Sequence, residues 1–126
     1  QAFTGCEAVA GVELGGCPLA SAVSMKSFER GNPLPALYIR KEAKDHGSKK
    51  LVEGDKSLRD GLQVVVLEDV ITTGGSTLKA VEKLKLVGAK VLGVIALVDR
   101  EEGGADALRD AGLKLVSLLH RSDFMT

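Results

Sequence analysis

Apolar runs at residues 6–12, 34–39, 64–67, 90–98 and 113–119 divide the chain into regular intervals. Each is short, aliphatic or β-branched and bounded by Gly, Pro or charge, which reads as a strand. The run 64–67 has no polar alternation, the mark of a strand buried on both faces of a parallel sheet. Between the runs the period changes to that of a helix. Leu19, Ala22, Val23 and Lys26 follow Pro18 at helical spacing, and Gly31 and Pro33 close that segment. Over 76–87, Leu78, Val81, Leu84 and Val87 share one face, with Gly88 as the terminating residue and Lys79, Glu82, Lys83 and Lys85 as a solvated face. A shorter helix is predicted over 105–111, stopped by Gly112. Residues 120–126 read as a frayed or docking tail with a solvated His120. This alternation predicts an α/β, Rossmann-like core, with a parallel sheet of about five strands flanked by helices and ligands gathered outside the C-terminal strand ends.

With 126 residues the chain makes one domain over its whole length. Lys+Arg and Asp+Glu number 17 each, so no charge excess favours nucleic acid or an anionic membrane. No apolar run approaches transmembrane length and no signal segment opens the chain, so a cytoplasmic protein is expected. Cys6 and Cys17 lack metal-ligand spacing and read as buried, reduced thiols. The first residue is Gln1 rather than Met, which fits a chain that starts inside a longer gene product or an engineered piece. Residues 40–61 are polar, long and without helical or strand periodicity. Such a connection is either a functional, flexible lid or a solvated linker.

The chemistry gathers at the end of the run 64–67. Glu68 and Asp69 stand there, followed by Val70, Ile71, Thr72, Thr73, Gly74, Gly75, Ser76 and Thr77, and then a helix. A strand, a Gly-rich turn and a helix N-terminus make an anion site, because the first helical N–H groups have no internal partner and the dipole favours negative charge. A Walker loop would need Lys after the second Gly, and a dinucleotide fingerprint would need G-x-G-x-x-G; neither is present. An acidic pair beside a hydroxyl-lined cup suits a ribose 5-phosphate, whose hydroxyls donate to carboxylates while N–H and O–H groups hold the phosphate. The plainer alternative is a Gly-Gly turn with Ser76 or Thr77 as a helix cap. Residues 11–16, with Gly15 and Gly16, form a second strand, Gly turn and helix start, hence a second candidate anion site or simply a tight turn.

The stretch from Val65 to Ser76 resembles the phosphoribosyl-pyrophosphate motif of the type I phosphoribosyltransferases. Arg40-Lys41-Glu42-Ala43-Lys44-Asp45-His46-Gly47 further resembles the mobile catalytic loop of the orotate phosphoribosyltransferases. The resemblance implies transfer of ribose 5-phosphate from phosphoribosyl pyrophosphate to orotate, giving orotidine 5′-monophosphate and pyrophosphate. It implies Mg²⁺ as cofactor, bridging pyrophosphate and ribose oxygens, with no protein metal ligand set. Lys41, Lys44 and His46 would stabilise the leaving group from a neighbouring subunit, so a homodimer sharing residues 40–54 is implied. Asp69 with Glu68 would position the sugar, Arg40 would join the cations, and Gly15 and Gly16 would approach the pyrophosphate. Arg100, in an Asp-Arg-x-Glu-Gly context, would contact orotate, with an ion network among Asp99, Arg100 and Glu102 as the alternative. Members of that group carry several tens of residues ahead of the first core strand, a hood over the base, which this chain does not supply. Two rivals therefore stay open: a phosphoribosyl-pyrophosphate-binding core without turnover, and a transferase for another nucleobase. A generic nucleotide-binding α/β domain fits the fold but not the acidic pair.

Overall fold

The structure is a computed structural model that describes residues 3–42 and 51–124. The apolar runs become the strands β1 (Ala8–Val12), β2 (Ala36–Ile39), β4 (Gln63–Ile71), β5 (Lys90–Asp99) and β6 (Lys114–His120), and a further short strand, β3 (Val52–Glu53), joins them. Three helices lie between strands: α1 (Gly16–Glu29), α2 (Gly75–Leu86) and α3 (Gly104–Asp110). One sheet results, in the order β3-β2-β1-β4-β5-β6. Every pair is parallel except β2 with β3, where Tyr38 faces Glu53 and Ile39 faces Val52.

The continuous apolar runs are explained by helices on both sides. Ala80, Val81 and Leu84 of α2 and Leu108 of α3 pack with Ala10, Val64, Val66 and Val94 in the larger core. On the opposite face, Ala20 and Leu19 of α1 pack with Val9, Val65 and Leu67. Alternate residues of the run Val64 to Leu67 thus serve different cores, so both faces of that run are apolar. Each fully buried Val or Leu contributes about 1.5–3 kcal/mol.

Two departures from expectation bear on function. The sheet has six strands rather than about five, because Val52 is buried and pairs within the segment expected to be irregular. A two-residue strand offers no period to read. A 3₁₀ turn over Asp55–Ser57 follows it. Second, β4 does not stop at the carboxylates: Val70 and Ile71 stay paired with Val98 and Asp99 of β5 instead of opening the turn. Ile71 is buried and its carbonyl accepts from Arg100 N at 2.9 Å, so pairing with the neighbour decides where the strand ends.

Smaller corrections concern the tail and the thiols. His120 is the last residue of β6, its N–H donates to Asp123 Oδ2 at 2.6 Å, and a 3₁₀ turn follows over Arg121–Phe124. Cys6 and Cys17 are free but half-buried, and burial raises both thiols above their ordinary pKa. Among the described residues no helix is long and apolar enough to cross a membrane.

Candidate functional site

The strand order reverses direction between β1 and β4. From β1 the chain moves outward to β2, whereas from β4 it moves the other way to β5 and β6. Crevices outside the C-terminal strand ends at such a reversal are where open α/β sheets take ligands. A cleft of about 310 Å³ lies there, lined by Glu13, Leu14 and Gly15 after β1, by Lys41 after β2, and by Glu68 to Thr72 with Gly74, Ser76 and Thr77 from β4 onward.

Two helices begin at this cleft. The N-cap of α1 is Gly15 and that of α2 is Gly74, and neither helix carries a side-chain cap. Gly74 sits at φ 91°, a left-handed conformation that a β-carbon would oppose. The first-turn N–H groups of α2, at Gly75, Ser76 and Thr77, have no intrahelical acceptor, so an anion is their natural partner. Close backbone packing brings α1 to the same place. A Cβ on Gly16 would lie 2.4 Å from the Leu67 carbonyl oxygen, and one on Gly11 would lie 2.2 Å from the carbonyl oxygen of Gly16. The loop between them contains a cis peptide at Glu13–Leu14.

The two carboxylates are held differently. Glu68 is only 6% exposed and accepts a hydrogen bond from Thr77 Oγ1 at 2.6 Å. Burial raises its pKa; the Thr77 hydroxyl opposes that, the neighbouring Asp69 reinforces it and Lys41 offsets it. Asp69 is exposed, and its Oδ1 accepts from the N–H of Val70 at 2.8 Å. Its carboxylate lies over Gly15, where any β-carbon would collide with it.

Lys41 is fixed through its backbone. Its N–H donates to Glu13 Oε1 at 2.8 Å, and its carbonyl accepts from Lys83 Nζ at 2.7 Å. The same ammonium donates to the Arg40 carbonyl at 2.8 Å. Lys83 is therefore half-buried and engaged rather than part of a solvated face. Residues 76, 79 and 83 share one side of α2, facing a second cleft of about 350 Å³ with Arg40 and Lys41.

The remaining expected site residues distribute as follows. Gly75 and Arg40 line the second cleft, and the Arg40 guanidinium binds Glu53 at 2.6 Å. Thr73 is exposed on the same turn, and Gly16 is buried behind the cleft. The Thr77 hydroxyl turns to Glu68 inside the protein. Arg100 does not line the cleft; it pairs with Glu102 at 3.1 Å, while Asp99 is buried and accepts from Glu101 N at 2.8 Å. Lys41, for which the resemblance implies service to a neighbouring subunit, lines the cleft of its own chain. Lys44 and His46 lie outside the described residues.

Fold and cleft together define an α/β domain in which two uncapped helix N-termini and an acidic strand end meet at one cleft. The chain belongs to the phosphoribosyl transferase domain family, whose model matches residues 5–112. It is 72% identical over 120 residues to the orotate phosphoribosyltransferase of Sorangium cellulosum, covering 95% of this chain and 62% of that protein. It is 53% identical over 108 residues to that of a Nostoc species, covering 86% of this chain and 52% of the relative. The chain thus spans between about half and three fifths of the length of these two relatives. Among solved structures it resembles the Mycobacterium tuberculosis orotate phosphoribosyltransferase in complex with 5-phospho-α-D-ribosyl 1-diphosphate. There the TM-score is 0.82 with 38% identity, over 97% of this chain and 67% of the other.

Proposed function

We propose that this cleft binds phosphoribosyl pyrophosphate and that the chain is the phosphoribosyl-transferring part of an orotate phosphoribosyltransferase. The observation that carries the reading is the convergence of two uncapped helix N-termini on one cleft, with Asp69 between them. One terminus suits the 5-phosphate and the other the pyrophosphate. The names of the relatives support orotate as the base.

In this reading the first-turn N–H groups of α2, with Thr72, Thr73 and Ser76, hold the 5-phosphate. Asp69 and Glu68 accept from the ribose hydroxyls and fix C1 for in-line displacement. A ring nitrogen of orotate, giving up its proton, bonds to C1 as the C1–O bond breaks, and pyrophosphate leaves with the electron pair. No protein nucleophile is needed. The Gly15–Gly16 turn and Lys41 stabilise the departing charge, joined by Lys44 and His46 across a homodimer that shares residues 40–54. Arg100 reaches the orotate carboxylate after leaving Glu102.

Among the described residues no group of three or more His, Cys, Asp or Glu could hold a metal. The cleft offers the carboxylates of Asp69 and Glu13, which would help hold a Mg²⁺ that takes most of its oxygens from substrate and water. When bound, the cation supplies charge neutralisation to the leaving group.

The test is pyrophosphate release from phosphoribosyl pyrophosphate and Mg²⁺ with and without orotate, beside a calorimetric titration of the sugar phosphate. Orotate-dependent release is expected. Binding without release would leave a non-catalytic core, release with another base would change the substrate, and absence of both would sink the proposal.

A further inference from the structure

α2 touches this site twice. Its first turn presents free N–H groups to the cleft, and two turns later Lys83 reaches the end of β2. There one ammonium bridges two successive carbonyls, those of Arg40 and Lys41, at 2.8 and 2.7 Å. From the other side, Glu13 in the turn before α1 accepts the N–H of Lys41 at 2.8 Å. The peptide group before the Lys41 α-carbon is therefore held by opposite charges from different elements, and the one after it by Lys83. Hydrogen bonds with an ionised partner are roughly twice as strong as neutral ones. Lys41 is also where the chain leaves β2 toward Lys44 and His46.

We infer that Lys83 is a positioning residue for the transfer reaction: with Glu13 it clasps the backbone of Lys41, tying the leaving-group cation to the helix that holds the 5-phosphate. This rests on the reading of Lys41 as a leaving-group cation. Because α2 is one rigid element, phosphate seated on its first turn and the backbone that aims Lys41 keep a fixed separation. A lysine suits the task because an ammonium has three donors and can serve two carbonyls at once. Lys83 itself touches no reacting atom in this scheme.

The test compares Lys83→Met, Lys83→Arg and, as a control on the same helix, Lys85→Met. Hydrogen exchange at the Lys41 amide is followed in the ligand-free protein, and orotate-dependent pyrophosphate release is measured in parallel. Lys83→Met should speed exchange at Lys41 at least about tenfold and lower kcat about tenfold, with KM for phosphoribosyl pyrophosphate within about twofold. Lys83→Arg should restore most of both, and Lys85→Met should change neither. Unchanged exchange in Lys83→Met overturns the clasp. Faster exchange with unchanged kcat overturns the positioning role and leaves a structural contact. A wild-type protein that neither binds the sugar phosphate nor releases pyrophosphate refutes the transferase reading, and the clasp then stands or falls on the exchange rates alone.

Discussion

Gly15→Ala separates folding from function at this cleft. Gly15 has φ −64° and ψ −28°, an ordinary helical conformation, so alanine meets no backbone strain. The obstacle is a side chain. A Cβ built on Gly15 would lie 2.0 Å from Asp69 Oδ2, 2.4 Å from Cγ and 2.8 Å from Oδ1. Restoring a permissible separation of 3.0 Å means that the carboxylate retreats by about 1 Å. Asp69 is exposed, so rotation about χ1 accommodates this at a cost of about 0.5–1.5 kcal/mol. The melting temperature should fall by no more than about 6 °C for a domain of this size. Misplacing a substrate-positioning group by 1 Å costs about 10²-fold, so affinity for phosphoribosyl pyrophosphate, or kcat/KM, should fall by about that factor. Gly16→Ala is the opposite case, because its Cβ would meet the Leu67 carbonyl oxygen at 2.4 Å and backbone of Gly11 at 3.3 Å, neither of which can rotate away. That variant should lose about 1–3 kcal/mol of stability or more. Calorimetric titration and thermal melts on both variants decide the matter. A Gly15→Ala protein that binds as tightly as wild type, or melts as low as Gly16→Ala, refutes the reasoning.

Thr77→Val removes the donor to Glu68 and leaves a buried carboxylate oxygen unpaired, so denaturant melts should show a loss of about 1–3 kcal/mol, largely recovered in Thr77→Ser. Glu68 has a raised pKa, so the folded protein holds this proton more tightly than the unfolded chain, and stability falls as pH rises from the ordinary carboxyl range through the raised value. Glu68→Gln should therefore melt higher than wild type at pH 7, with the difference shrinking as pH is lowered through that window; a constant difference across pH would contradict it. Arg100→Ala should raise KM for orotate at least about tenfold while leaving sugar-phosphate affinity unchanged, since the guanidinium stands outside the cleft; a parallel loss of both would remove it from the base-binding role.

What the sequence disclosed depended on range. The central strands were legible because both of their faces are buried, which leaves an unbroken apolar run such as Val64 to Leu67. This side of the cleft was legible because Glu68 to Thr77 is contiguous along one strand, turn and helix start. Where pairing with another segment decides the outcome, the reading failed. β3 is too short for any period, and the extension of β4 through Val70 and Ile71 is imposed by β5. Thr77 looked like one more hydroxyl on the cup, yet it turns inward because Glu68, nine residues earlier, is buried beneath the start of α2. Lys83 looked solvated because its acceptors are carbonyls more than forty residues away, and a carbonyl leaves no trace in side-chain identity.

The division of labour between fold and motif follows from the topology. Any parallel sheet with the order β2-β1-β4-β5 opens a crevice beside the ends of β1 and β4, whatever residues stand there. Two features make that crevice specific. Glycine at residues 11, 15 and 16 lets the start of α1 lie against β1 and β4, bringing a second helix N-terminus to a cleft that α2 already faces. The acidic end of β4 then sets carboxylates between two sites that favour anions, so a bare phosphate gains little from Asp69. A ligand with hydroxyls between two phosphate groups satisfies all three at once. That is the chemical form of the ligand we propose, a 5-phosphorylated ribose carrying a pyrophosphate on C1, and such a ligand requires neither a mononucleotide loop nor a dinucleotide fingerprint.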